Sequence, residues 1–174
     1  MKDFTPVYIP AGVPTFHLES AKAQFEASAE LLRGIDAGFA VPDDMLLSID
    51  ALDTFLGSVQ PDLVVFQNLT FANSAYISAV MRRVNCPILL WTLREPVIDG
   101  GRLRLNSLTG AYSAANAMRA FGGRRFEYVF GAPDEERVRK EIAASVSAAR
   151  LIKNMRSLKM SAVGHTPQGF GFGR

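Results

Sequence analysis

Cysteine, histidine and long apolar runs are all scarce in this sequence. Its 174 residues include one cysteine, Cys86, which cannot form an internal disulfide. The two histidines, His17 and His165, lie far apart, and no Cys-x-x-Cys or His-Glu-x-x-His spacing gathers three metal ligands. No uncharged run is long enough to span a bilayer, and the first ten residues lack the pattern of a signal peptide. These absences argue against a disulfide scaffold and a self-contained metal site, and they predict a soluble, cytoplasmic protein.

A strong charge of either sign is also missing. Lys and Arg total 19 against 17 for Asp and Glu, and this net charge of +2 is too small to indicate a nucleic acid or membrane partner. Hydrophobic residues make up 48% of the chain and charged residues 21%, which is enough apolar side chain for a proper core. The composition therefore predicts a compact globular domain and identifies no partner.

Apolar runs alternate with helical stretches along the chain, which is typical of α/β organisation. The predicted strands are 5–10, 37–41, 63–66, 87–92 and 126–130, and the predicted helices are 18–33, 42–56, 74–84, 108–121 and 134–155. Right-handed crossovers would arrange them as an open three-layer parallel sheet with helices on both faces, a flavodoxin-like or Rossmann-like fold. A sixth strand, 158–163, precedes a glycine-rich end with no helix after it. We therefore predict two parts, a domain over 1–157 and the start of a truncated following domain over 158–174.

Familiar catalytic motifs are not found. The sequence has no G-x-S-x-G and no P-loop, and the glycines of 169–173 lack both the phosphate-binding spacing and a following helix. We expect His17 and His165 to be exposed or to cap local structure, and Cys86 to be a small buried apolar residue. We therefore predict no catalytic residue in this chain.

Ligands of open α/β sheets bind beyond the carboxyl ends of the strands, which directs attention to loops 11–16, 67–71 and 93–107. These loops and the strand ends beside them supply neutral hydrogen-bonding groups, two charges and one aromatic surface: Gln67, Asn68, Thr70, Trp91, Arg94, Glu95, Asn106 and Ser107. This mixture suits a polyhydroxylated ligand better than an anion. The alternative is that each residue only forms a turn or caps a helix, as Asn106 or Ser107 could do before Leu108.

Four loop motifs occur in order between Gly12 and Gly110, and the resemblance that they carry covers roughly residues 7–169. They are Gly12-Val13-Pro14-Thr15-Phe16, Gln67-x-x-Thr70-Phe71-x-x-Ser74, Pro87-Ile-Leu-Leu-Trp91-x-x-Arg94-Glu95 and Asn106-Ser107-Leu108-Thr109-Gly110. As a set they resemble the N-terminal region of the L-fucose and L-arabinose isomerase family. The resemblance implies an aldose–ketose isomerase that acts on a sugar through an ene-diol and uses Mn²⁺.

In that family the metal ligands, two acidic residues and a histidine, lie in later domains. The resemblance therefore implies that this chain alone binds no metal, is inactive in isolation, and helps to build a homo-oligomer and the mouth of an active site. The implied substrate contacts are Phe16, Gln67, Thr70, Trp91 and Glu95. Val13 and His17 depart from the family pattern, which favours a basic and an acidic residue at these positions, so the identity of the sugar stays open.

Two other functions remain open at this stage. One is a small flavodoxin-like module that binds a sugar or phosphosugar without catalysis. The other is an assembly domain that associates through helix 108–121 or through the helix after Asp134.

Overall fold

Strands and helices alternate through the part of the chain that the structure, a computed structural model, describes, namely residues 4–122, 126–161 and 164. The strands of this part are β1 (Pro6–Ala11), β2 (Leu63–Asn68), β3 (Ile88–Thr92) and β4 (Glu127–Phe130). Its helices are α1 (Leu18–Ile35), α2 (Ile49–Gly57), α3 (Ser74–Arg83), α4 (Ser107–Gly122) and α5 (Glu136–Arg156). The strands form one parallel sheet in the order β1-β2-β3-β4. The predicted open α/β fold is confirmed.

Each face of the sheet is covered by its own set of helices. On one face α1 and α5 bury residues such as Phe25 and Ile142 against the sheet, where Phe25 stacks on Tyr8 with ring centroids 6.1 Å apart. On the other face α2, α3 and α4 pack residues such as Leu52, Ile77 and Ala114 against the strands. Because both faces are covered, β1, β2 and β3 are buried at every position. Strand β2 also continues through Gln67 and Asn68, which were predicted to lie in the loop after it.

The segment before α2 differs from the prediction. A strand was expected over 37–41 and a helix from Pro42 onward, but residues 40–46 follow β1 through two isolated parallel bridges, at Ala40 and Leu46. Pro42 has no N–H to donate to a ladder, so pairing is interrupted between the bridges. The helix begins only at Ile49, where the Ser48 hydroxyl accepts the N–H of Ala51 at 3.1 Å.

Helix α5 ends the α/β pattern within the described residues. Its last turns are held by ion pairs, Arg150 with Asp36 and Lys153 Nζ with Asp62 Oδ2 at 2.6 Å, and not only by the helix dipole that the sequence indicated. Because α5 lies on the face of α1, a parallel strand placed next to β4 after α5 would need a left-handed crossover. Crossovers between parallel strands of one sheet are right-handed in about 98% of cases, so α5 does not favour a further strand beside β4.

The sixth strand predicted for 158–163 is wrong at residues 158–161. Residues 158–161 are irregular, while residues 162 and 163 lie outside the described part of the chain. His165 and the glycines of 169–173 also lie outside it, so those predictions stay as stated. The division after residue 157 likewise stays a prediction.

Helix α1 begins at a side-chain cap. His17 caps α1, since its Nδ1 accepts the N–H of Ser20 at 3.2 Å, and the exposed capping role predicted for His17 is confirmed. Helix α1 continues one residue past Gly34, the predicted stop.

No helix within the described residues is long and apolar enough to cross a membrane.

Candidate functional site

The loops that follow β1 and β2 are joined at the carboxyl edge of the sheet. Thr70 Oγ1 accepts the N–H of Val13 at 2.8 Å, and the N–H of Leu69 donates to the carbonyl of Ala11 at 2.8 Å. This approach requires glycine at position 12, because a Cβ there would lie 2.8 Å from Thr70 Oγ1. Thr70 is fully buried, so in this structure it holds the first loop in place and presents no surface to a ligand.

The loop after β3 is held by one carboxylate. Glu95 Oε1 accepts the backbone N–H groups of Arg104 at 2.6 Å and Leu105 at 2.9 Å, and Oε2 accepts that of Asn106 at 3.0 Å. Asn106 adopts a positive φ of 52°, a conformation that asparagine tolerates better than most residues. Glu95 is half-buried, and its three hydrogen bonds hold residues 104–106, the end of this loop, in place.

The start of α4 closes over the ends of β2 and β3. The Ser107 hydroxyl donates to the carbonyl of Asn68 and accepts the N–H of Leu93 at 2.9 Å. The side-chain amide of Asn68 and the hydroxyl of Thr92 are buried and have no hydrogen-bond partner within the described residues. Gly110 allows this closure, since a Cβ there would lie 2.6 Å from Asn68 Nδ2. Ser107 therefore ties strands to helix instead of facing a ligand.

Gln67 and Trp91, two of the predicted substrate contacts, are enclosed beneath the α1 and α5 layer. Both are fully buried. Gln67 Oε1 accepts the hydroxyl of Tyr8 and Gln67 Nε2 donates to Ser28 Oγ at 3.0 Å, while burial raises the pKa of the Tyr8 hydroxyl. Trp91 Nε1 donates to the carbonyl of Gly131 at 3.0 Å. A direct contact with substrate would require either side chain to give up these partners.

Arg94 is engaged at the end of β4. Its Nε and Nη2 donate to the two carboxylate oxygens of Glu135 at 2.7 and 3.2 Å, and its guanidinium lies 4.7 Å from the ring centroid of Phe130. The guanidinium, together with the N–H of Ala132 at 2.7 Å, lowers the pKa of Glu135 to about 2. The pairing also raises the pKa of Arg94. This pair fixes the turn into α5.

An open pocket lies at this edge, and we call it the rim pocket. It measures about 380 Å³ and is lined by Thr15, Phe16, His17, Arg102, Leu103 and Arg104. Phe16 is half-buried, with its ring centroid 6.3 Å from that of Phe71 and 4.9 Å from the guanidinium carbon of Arg102. Of the five predicted substrate contacts, Phe16 is the one that lines this pocket.

The two arginines of the rim pocket were missed by the sequence analysis, which included loop 93–107 among the loops expected to meet a ligand but did not select Arg102 or Arg104 as candidates. The available signal was the Arg-x-Arg spacing of Arg102 and Arg104 just before the Asn106 motif. Their position beside Phe16 depends on the hydrogen bonds of Glu95 and on the donation from the N–H of His17 to the carbonyl of Arg104 at 3.0 Å. These long-range bonds are not visible in the local sequence.

The described residues do not form a metal centre. Within 4–122, 126–161 and 164, no three side chains of His, Cys, Asp or Glu are grouped so that they could hold an ion.

Cys86 is half-buried at the edge of the core, so it is less buried than predicted.

Curated proteins that are similar to this chain over its full length are named as isomerases. No family model matches the chain. Sulfoquinovose isomerase from Clostridium sp. (strain MSTE9) is 61% identical over 174 residues, which are 100% of this chain and 39% of that protein. Sulfoquinovose isomerase from Priestia aryabhattai is 35% identical over 175 residues, covering 99% of this chain and 39% of that protein. The chain is therefore similar over its full length to sugar isomerases, and it spans about two fifths of their length.

Among solved structures, an azoreductase from Bacillus anthracis str. Sterne aligns with 88% of this chain and 100% of its own, at a TM-score of 0.39 and 14% identity.

Proposed function

We propose that this chain is the N-terminal, substrate-rim part of an aldose–ketose isomerase that acts on sulfoquinovose. The observation that carries the proposal is the 61% identity with a sulfoquinovose isomerase, which extends over all 174 residues. It agrees with the class of enzyme implied by the resemblance to L-fucose and L-arabinose isomerases. Sulfoquinovose is a glucose derivative with a sulfonate on its terminal carbon, so the substrate would combine several hydroxyl groups with one permanent negative charge.

The role proposed for this chain is to bind and orient the sugar, and the arrangement of the carboxyl edge supports it. Thr70 and Glu95 hold two loops in a defined position, and Phe16 provides an apolar surface between them. Groups held rigidly in this way lose little conformational entropy when a ligand binds. Gln67 and Trp91 would support the rim from below, through the sheet.

The proton transfers of an ene-diol isomerisation need carboxylates and a Lewis acid, and the described residues do not fit a metal site. We therefore propose that Mn²⁺ and its ligands belong to parts of a longer protein outside this chain. When bound, Mn²⁺ would polarise the carbonyl and hydroxyl oxygens of the sugar. The 174-residue chain by itself would be inactive.

The test is to incubate the complete gene product with sulfoquinovose and follow conversion of the aldose to the ketose by ¹H NMR. We expect turnover that EDTA abolishes and Mn²⁺ restores, and no turnover by the 174-residue chain alone. The chain alone should also show no measurable affinity for the sugar. Saturable binding by the isolated chain, together with an inactive gene product, would instead support the sugar-binding module.

Assembly is the second part of the proposed role, as a cytoplasmic homo-oligomer. Helix α4 presents exposed aromatic side chains, Tyr112 at 69% and Phe121 at 82% exposure, and α5 exposes Leu151 and Met155 near its end. Large apolar side chains exposed on a helix often mark an interface with another protein. Sedimentation equilibrium of the complete gene product should give a multiple of its monomer mass, and a Tyr112→Ser variant should weaken that association. A monomer at micromolar concentration would contradict this role.

A further inference from the structure

We propose that the rim pocket binds the sulfonate group of the sugar, through Arg102, Arg104 and His17. This inference rests on the proposed function and adds to it the part of the chain that recognises the anionic end of the substrate. It also departs from the sequence analysis, which favoured a polyhydroxylated ligand over an anion. The reason for the difference is that most of the neutral polar groups of that analysis are engaged in internal hydrogen bonds or buried.

The positive charges of Arg102 and Arg104 line the rim pocket. In the described part of the chain, no ion pair links Arg102 or Arg104 to an acidic side chain. The nearest acid along the loop is Asp99, which instead accepts the N–H of Gly101 at 2.9 Å. Glu95 has both of its oxygens occupied by backbone N–H groups. An anion in this pocket would therefore not have to displace an existing salt bridge.

His17 adds a directed donor and the positive end of a helix. Because Nδ1 accepts the N–H of Ser20 and lies 2.8 Å from the Ser20 hydroxyl, the neutral imidazole carries its proton on Nε2, which donates to no group among the described residues. His17 is also the N-cap of α1, an 18-residue helix, and the dipole of such a helix favours an anion at this end. Glu19, in the first turn of α1, is the acidic residue that opposes this effect.

The pocket is organised before any ligand arrives. The guanidinium of Arg102 stacks on the ring of Phe16, and the N–H of His17 binds the carbonyl of Arg104, so the two sides of the pocket are joined. A guanidinium with a fixed plane can donate two parallel N–H bonds to an oxyanion, whereas an ammonium acts as a point charge. The exposed part of the Phe16 ring would meet the carbon that carries the sulfonate.

A sulfonate fits these groups because it is a strong acid, ionised at every physiological pH, with three equivalent oxygens for three donors. A phosphate monoester offers the same tetrahedral oxygens with a greater negative charge, so it is the competing ligand of the same chemistry. The experiment distinguishes the two by comparing sulfoquinovose, glucose 6-phosphate and glucose as substrates of the complete gene product.

The test compares Arg104→Gln and Arg102→Gln with a control, Arg82→Gln. Arg82 is exposed in the last turn of α3, away from the carboxyl edge. Loss of one charge-assisted hydrogen-bonding group should lower kcat/KM for sulfoquinovose by roughly 10-fold to 100-fold, mainly through KM, with little change for glucose. Arg104→Lys should fall between Arg104→Gln and the original protein. The control should retain the original preference.

A second measurement does not depend on turnover. Ethanesulfonate, which carries the anionic group without the sugar, should protect Arg104 of the complete gene product from modification by phenylglyoxal, as read by peptide mass spectrometry. Protection by inorganic phosphate but not by ethanesulfonate would mean that the pocket is a phosphate site and would overturn the proposal.

The outcomes distinguish a failure of the proposed function from a failure of the pocket assignment. If the gene product does not isomerise sulfoquinovose at all, the proposed function is wrong, whatever the pocket binds. If it does so and Arg104→Gln and Arg102→Gln keep the original preference for sulfoquinovose over glucose, the pocket assignment is wrong and the proposed function stands. Equal melting temperatures of the variants and the original protein exclude misfolding as the cause of any loss.

Discussion

Replacing Glu95 should unfold the loop that carries the rim pocket and should destabilise the whole chain. The Glu95→Ala substitution removes the acceptor of three backbone N–H groups, those of Arg104, Leu105 and Asn106. Hydrogen bonds to a charged group contribute about 1.5–3 kcal/mol each, and a buried donor left without a partner incurs its desolvation penalty. Water can replace the carboxylate at the two half-buried residues, but Leu105 is fully buried. We therefore expect a loss of about 3 kcal/mol, less than the sum of three bonds.

The conservative variant makes the prediction sharper. In Glu95→Gln the amide oxygen can still accept two of the three N–H groups, while its NH₂ group would oppose the N–H of Asn106. The expected loss is about 1.5 kcal/mol, half of that for alanine. Glu30→Ala is the matched control, because Glu30 is exposed on α1 and has no ion pair within the described residues. Its effect should stay within about 0.5 kcal/mol.

The assay uses the fluorescence of Trp91, the one tryptophan of the sequence, during urea denaturation. Trp91 is fully buried, so its emission should shift to longer wavelength as the core opens. The free energy of unfolding follows from linear extrapolation, provided that the slope m is the same for all variants. A Glu95→Ala protein that unfolds within about 0.5 kcal/mol of the original would refute the claim that this carboxylate holds the loop.

Three further substitutions test other parts of the structure. Gln67→Leu should lower the free energy of unfolding by about 2 kcal/mol in the same assay, because the hydroxyl of Tyr8 loses its buried acceptor; an unchanged midpoint would contradict this. Gly12→Ala should cost about 1–3 kcal/mol, since its methyl carbon would lie 2.8 Å from Thr70 Oγ1, and a stable variant would show that this loop can move. Glu135, with a pKa lowered to about 2, should stabilise the fold fully above its ordinary pKa of 4.5 and lose this contribution as pH falls toward 2. Glu135→Gln should flatten that part of the pH dependence of the melting temperature, and an unchanged acid profile would count against the ion pair.

The apolar character of the strands was predicted well because it depends on local sequence. A strand that is covered on both faces needs apolar residues at every position, and Leu63-Val64-Val65-Phe66 meets this need without reference to the rest of the chain. The segment at 37–46 was predicted less well, since its weak pairing depends on Pro42 and on hydrogen bonds to β1.

At the candidate site, too, local features were predicted from the sequence and long-range contacts were not. The sequence indicated which loops lie at the carboxyl edge, and these are the loops that meet there. It could not indicate which side chains are turned inward, because Gln67 and Trp91 are enclosed by helices that come from distant parts of the chain. Polar residues in a loop look alike in sequence whether they bind a ligand or their own backbone.

By itself the sequence determined the α/β class, the strongly apolar strands and the resemblance to sugar isomerases, because these depend on residue periodicity and on motifs of a few residues. The tertiary structure decided the tasks of individual side chains. It turned Thr70 and Glu95 into supports of the loops and brought Arg102 and Arg104 beside Phe16. The physical reason is that hydrogen bonds and burial join residues that are far apart in the chain, and these partners exist only once the sheet and its two helical layers have formed.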